Sequence, residues 1–241
     1  MIHGSVDQAK ESKGCSSQTG GDMAGRQRQE DAAIKASLSR IKFKLFVLSG
    51  KGGVGKSSVS ANLAAGLAKK GYKTGLMDVD VHGPSIAQML GLKDLMDISE
   101  NKMLLPIKVN EKLKAVSVQS LMQDKDQAII WRGPAKTGMI RQFVSSVEWG
   151  DLDYLIIDAP PGTGDEPLTV VQTIPDAQGI IVTTPQEVAL ADIRKSISFC
   201  RTVRLHTLGI IENMAGLTCP HCQGHIDLFS SGGGEKTAKS Q

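Results

Sequence analysis

Short runs of aliphatic and β-branched residues alternate along this chain with segments whose apolar positions recur every three or four residues. That alternation predicts an α/β fold, a mostly parallel sheet with helices on both faces. Lys44 to Ser49 (KLFVLS) reads as a first strand, Thr74 to Val79 (TGLMDV) as a second and Leu113 to Val118 as a third. Tyr154 to Asp158 (YLIID), Gly179 to Thr183 (GIIVT) and Leu205 to Ile211 supply three more. Val59, Leu63 and Leu67 repeat every four residues ahead of Gly71, as in a helix that closes at a glycine. A second helix is expected from Pro134 through Met139, Ile140 and Phe143, ending before Gly150. A third follows Pro185, with Ala189, Ile193, Ile197 and Cys200 on one face, and no internal repeat is evident.

All nine aromatic residues lie at or after Phe43, and residues 1–25 are dominated by Gly, Ser, Lys, Gln and Asp. The first 40 residues therefore read as a flexible tail, with a short helix where Ile34, Leu38 and Ile41 recur at helical spacing, and residues 41–241 as one domain. Lys+Arg 28 against Asp+Glu 25 leaves too little net charge for a dedicated nucleic-acid surface. No window approaches the roughly 18 apolar residues of a membrane span, and the N-terminus lacks a secretory apolar stretch, so a cytoplasmic protein is expected. Of four cysteines (Cys15, Cys200, Cys219, Cys222) only the last two are closely spaced, which excludes a disulfide-stapled scaffold.

Between the first strand and first helix stands Gly50-Lys51-Gly52-Gly53-Val54-Gly55-Lys56-Ser57, a G-x-x-x-x-G-K-[ST] loop in the strand–loop–helix setting it requires, with Ser58 next in the helix. Glycines let the backbone wrap a phosphate so that successive N–H groups reach its oxygens, and the helix N-terminus adds partial positive charge. Lys56 is then expected to neutralise the β- and γ-phosphates of ATP, and the Ser57 hydroxyl to ligate Mg²⁺. Asp158 ends an apolar strand, where a charge is costly unless it serves a ligand, as when an aspartate holds Mg²⁺ through water. Asp78 and Asp80 end the second strand.

The second lysine, in K-G-G-V-G-K-S, resembles the deviant Walker A group of dimerising P-loop ATPases that includes nitrogenase iron protein, MinD, ParA and the Mrp/ApbC proteins. That resemblance implies that Lys51 reaches the nucleotide of a second subunit, and that Asp80 orients the attacking water. The stretches Asp80-Val81-His82-Gly83-Pro84-Ser85 and Asp158-Ala159-Pro160-Pro161-Gly162-Thr163-Gly164-Asp165 resemble the Mrp/ApbC branch, whose members are iron–sulfur cluster carriers. Asn213, in Glu212-Asn213-Met214, matches the asparagine that hydrogen-bonds adenine in this family.

Cys219-Pro220-His221-Cys222 completes the set. In the carrier branch such a C-x-x-C holds one [4Fe-4S] cluster jointly with the same pair of a second subunit. The resemblance thus implies a homodimer that hydrolyses ATP slowly and hands its cluster to apo iron–sulfur proteins. Zinc held by the same thiolates, with or without His221 or His225, stays open, as do a dithiol oxidoreductase and a purely structural turn. The alternative in another class is a MinD/ParA-like positioning ATPase with a zinc-clasped dimer, against which stands the lack of a basic amphipathic helix or a Lys/Arg cluster suited to DNA. Cys200 reads as a core residue, and a single Cys15 does not support a second cluster. Family members continue past Gly232-Gly233-Gly234-Glu235-Lys236 with a further strand and helix, so the domain is expected to lack its last elements and to leave one sheet edge open.

Overall fold

The computed structural model describes residues 19–80, 83–92, 95–121, 133–226 and 232–240. Cys15, and Val81 and His82 in the stretch after Asp80, lie outside the described residues. Helix α1 (Thr19–Ser39) leads into β1 (Ile41–Leu48), α2 (Lys56–Lys69), β2 (Thr74–Asp78) and the single turn α3 (Ile86–Met89). Then come β3 (Ile107–Lys108), β4 (Leu113–Ser117), α4 (Gly133–Ser145), β5 (Leu152–Asp158), α5 (Asp165–Thr173), β6 (Gln178–Thr183) and α6 (Glu187–Thr202). β7 (His206–Glu212) is followed by a small hairpin, β8 (Leu217–Thr218) and β9 (His225–Ile226), and by α7 (Gly233–Ser240).

Seven strands form one sheet in the order β3-β4-β2-β5-β1-β6-β7, parallel except for β3. Alternation along β1 sorts the core. Leu45 and Val47 face α2, while Phe46 and Leu48 face the layer of α1, α4, α5 and α6. Both faces are covered, as the near-continuous apolar runs of β1 and β5 require. All six strands expected from the sequence are present, and Ala189, Ile193, Ile197 and Cys200 of α6 are buried as their spacing predicts.

Two details differ from the sequence reading. The buried stripe of α2 is Ser60, Ala61, Ala64 and Ala68, with Val59, Leu63 and Leu67 only partly covered. Small residues bring the helix close to the sheet, so the bulkier stripe falls on its flank. The segment read as a tail carries, from Thr19, a 21-residue helix rather than a short one. Its end is tied in by buried Ile34 and Leu38 and by Arg141 of α4, which donates to Glu30 at 3.1 Å and to Asp31 at 2.5 Å. Among the described residues no helix is long and apolar enough to cross a membrane.

The parallel order sends the C-terminal ends of β1, β2, β5, β6 and β7 to one edge of the sheet. β1 lies between β5 and β6, so the loop after it opens onto a crevice between connections running to opposite sides.

Candidate functional site

The loop after β1 closes around a cavity of 210 Å³ lined by residues 51–58 with Asp80, Ser85, Met89 and Pro161. Larger cavities, such as one of 490 Å³ beside Lys112 and Glu148, lie away from every motif above. Gly53 and Gly55 have φ of +79° and +82°, which a residue with a side chain adopts only under strain. Gly55 precedes α2, whose N-terminus carries no side-chain cap, so the N–H groups of its first turn are left to an external acceptor. Gly50 is required for another reason: a Cβ there would stand 2.5 Å from the Asp192 carbonyl oxygen of α6.

Beneath this cradle Lys56 donates to Asp158 Oδ1 at 2.7 Å, with side chains 6% and 0% exposed, and Ser60 donates to the same oxygen at 2.8 Å. The Lys56 ammonium also lies 3.3 Å from Ser57 Oγ, which joins loop and strand acid through one cation. Asp158 Oδ2 is buried and has no hydrogen-bond partner among the described residues. An orphaned carboxylate oxygen beneath a phosphate-sized cradle suits a hydrated divalent cation, so the residues present fit Mg²⁺.

Asp78 sits beside Asp158 in register on the neighbouring strand and is fully buried. Its carboxyl accepts from the Asp80 N–H (3.1 Å), the Ile86 N–H (3.3 Å) and the Ser117 hydroxyl (3.1 Å). Burial, and then the charge of Asp158, push it up to about 7, opposed by the Asp80 N–H, the Ser117 hydroxyl and Lys56. Asp80, 8% exposed, reaches the cavity, and its Oδ1 accepts the Gly83 N–H at 3.3 Å. Lys51 also lines the cavity, and no ion-pair partner approaches it among the described residues.

Asn213 follows β7. Its side-chain amide donates to the Val54 carbonyl at 3.0 Å, within the loop, and its backbone N–H is held by Thr183 at 2.8 Å. That leaves the second amide proton and Oδ1 for another partner. Six residues on, Cys219 and Cys222 occupy the turn of the β8–β9 hairpin, closed by Cys219 N–H to Gly224 O and Gln223 N–H to Cys219 O, both 2.9 Å. The backbone N–H of Cys222, then that of His221, then the Cys222 side chain draw the Cys219 thiol below its ordinary value. Among the described residues no three or more His, Cys, Asp or Glu side chains gather as a metal site, so this hairpin offers two thiols only. Cys200 is 1% exposed, and burial raises its thiol.

The fold thus brings the loop, Asp80, Asp158 and Asn213 to one edge and sets the thiols on a projecting hairpin. Ser60 and Asp78 were not singled out from the sequence. Their signals were spacing, Ser60 one turn after Lys56 on the same helix face and Asp78 ending a strand two residues before Asp80.

Residues 40–241 match the family described as ParA: NUBPL iron-transfer P-loop NTPase. The iron-sulfur cluster carrier protein of Methanococcus maripaludis is 47% identical over 98% of this chain and 80% of its own length. The solved nucleotide-binding protein of Archaeoglobus fulgidus, an ADP complex in which cobalt was found, is 42% identical with a TM-score of 0.76, covering 87% of this chain and 82% of the other. The septum site-determining protein MinD of Pyrococcus horikoshii, with Mg-ADP, is 22% identical with a TM-score of 0.53 over 71% of this chain and 70% of its own, a likeness of fold alone.

Proposed function

The chain belongs to the NUBPL iron-transfer P-loop NTPase family, and from that premise we propose that it is an ATP-hydrolysing carrier of iron–sulfur clusters. It works as a homodimer that holds one [4Fe-4S] cluster between two thiol hairpins and passes it to apoproteins. The observation that carries this reading is the pairing, on one chain, of a phosphate cradle with an exposed two-thiol hairpin. Two thiols cannot saturate a four-thiolate site, and a two-fold axis beside Cys219 and Cys222 supplies the other two. Exposed Leu217 and Ile226, paired across the hairpin that carries the thiols, support a docking partner there.

In this reading the backbone of residues 50–57 wraps the β- and γ-phosphates, and Lys56 neutralises their charge. Lys51 stands at the cavity rim and reaches the nucleotide of the second subunit. Asp80 accepts a hydrogen bond from the attacking water and orients it. The water oxygen bonds to the γ-phosphorus as the bond from that phosphorus to the β–γ bridging oxygen breaks; the departing ADP oxygen takes that bond's electron pair, and the water's proton passes to an oxygen of the transferred phosphate. Mg²⁺, when bound by the Ser57 hydroxyl and through water by Asp158, supplies neutralisation of phosphate charge. Asn213 turns its remaining amide groups to the adenine edge. A shared cluster on an exposed hairpin is labile, as a donor requires. Hydrolysis in this reading is slow and serves to reset the carrier rather than to turn over substrate.

Anaerobic reconstitution with iron and sulfide tests the proposal. The wild-type chain should gain broad visible absorption, and Cys219→Ser with Cys222→Ser should lose it. Equal colour and iron in the double variant would refute the assignment. The likeness to MinD brings no membrane or DNA role to this chain.

A further inference from the structure

The thiols lie on a hairpin that lines no part of the phosphate cavity, yet the segment that carries them begins and ends at one dipeptide beside it. Glu212 accepts the N–H of Gly232 (3.0 Å) and of Gly234, so its carboxylate pins the returning end of residues 213–232. Asn213 pins the departing end, through its amide on the Val54 carbonyl. Contact with the loop is close. A Cβ on Gly55 would fall on Asn213 Nδ2, and the Met214 methyl lies 3.7 Å from that same position. Met214 then takes a left-handed backbone, φ +58°, which turns the chain out toward the hairpin. Gly216 (φ +157°) leaves room for the His225 imidazole of β9, so the root of the hairpin closes on the residues that follow Met214.

The Val54 carbonyl and the Gly55 N–H belong to one rigid peptide plane and point in opposite directions. A phosphate that takes the Gly55 N–H fixes that plane and aims the carbonyl at Asn213. A loop without that anion leaves the plane freer to rotate and weakens the hold. The two conditions therefore differ in contact energy at Asn213, which any ligand-driven shift requires.

We infer that Asn213 and Met214 couple the phosphate loop to the β8–β9 hairpin, so that nucleotide in the cradle sets the position and accessibility of Cys219 and Cys222. The carrier reading supplies the cargo, but the coupling is a property of the cluster-free chain. Asn213 and Met214 act here as positioning residues, through the hairpin root.

The test uses the full chain without cluster, carrying Cys15→Ser so that the hairpin thiols dominate the signal over buried Cys200. The rate of reaction with a chromogenic disulfide is measured without nucleotide, with ADP and with a non-hydrolysable ATP analogue. Each nucleotide is held at saturation as determined separately for every variant. The parent chain should change rate by about threefold or more on adding the analogue, a shift of roughly 0.6 kcal/mol or more. Asn213→Ala and Met214→Ala, each with a native circular dichroism spectrum, should show less than half that change on a logarithmic scale. A parent rate indifferent to nucleotide overturns the inference. So does a full response in both saturated variants, or in Met214→Ala alone if Asn213→Ala fails to fold. Nucleotide-responsive thiols in a chain that takes up no cluster would leave the coupling standing and remove the carrier reading. Cluster uptake with indifferent thiols would do the reverse.

Discussion

Replacing Lys56 by Met removes one member of the ion pair beneath the phosphate cradle, and the structure sets the size of the consequence. The ammonium and Asp158 Oδ1 are 2.7 Å apart with almost no exposure. At an effective dielectric of about 20 that separation corresponds to an attraction of about 6 kcal/mol, against which both groups have been desolvated. Deleting the cation leaves Asp158 with the Ser60 hydroxyl and with Asp78 alongside, two buried carboxyls and no counter-charge. The expected loss of stability is about 3–5 kcal/mol near pH 8. With a urea slope of about 2 kcal/mol/M, the unfolding midpoint without nucleotide should drop by about 1.5–2.5 M. Lys56→Met combined with Asp158→Asn should recover most of that loss, since the pair is then removed rather than broken. A single variant that unfolds at the wild-type midpoint with unchanged slope would refute the reasoning. The same arithmetic means that lost ATP hydrolysis in a Lys56 variant reports on phosphate binding only when its folding has been checked.

Three further outcomes follow from named contacts. Asp78, raised to about 7, binds more protons folded than unfolded between the ordinary carboxylate range and about pH 7, so its contribution falls as pH rises through that window. Asp78→Asn should therefore gain on the wild type, on the order of 2–4 kcal/mol between about pH 4 and pH 8, and parallel urea-stability profiles would contradict the assignment. Gly50→Ala forces a Cβ to within 2.5 Å of the α6 backbone and should cost about 1–3 kcal/mol, read as a lowered melting temperature; an unchanged one would show that α6 gives way freely. Gly52 has no neighbour closer than 3.9 Å to its added Cβ, so Gly52→Ala should melt with the wild type and still weaken ATP binding in titration calorimetry, because the methyl enters the cradle.

Much of the fold was legible because short continuous apolar runs mark strands covered on both faces and period-four patterns mark the helices that cover them. The strand ending in Asp158 and the helix bearing Ala189, Ile193 and Ile197 are examples. The buried face of α2 was misjudged because pattern reading favours bulk, whereas close helix–sheet packing favours Ser60, Ala61 and Ala64. Helix α1 was underestimated because most of its residues are polar and, among the described side chains, Ile34 and Leu38 alone are buried apolar; it is also held to α4 by Arg141, over 100 residues away in sequence. In the site, the cradle was legible through its glycines, which have few other uses at that spacing. The parts left unread are tertiary. The donors that surround Asp78 come from Asp80, Ile86 and Ser117, and the bond from Asn213 to Val54 spans 159 positions. Neither leaves a local pattern.

The central claim is that two copies of this chain share one cluster through Cys219 and Cys222. Native mass spectrometry under anaerobic conditions, paired with iron and sulfide assays on the reconstituted chain, tests it most directly. The account predicts a dimer carrying about two iron atoms and two sulfides per chain, with both lost in the Cys219→Ser, Cys222→Ser variant. A monomer that keeps a full cluster, or a dimer that holds zinc and takes up no iron when iron and sulfide are supplied, would contradict it.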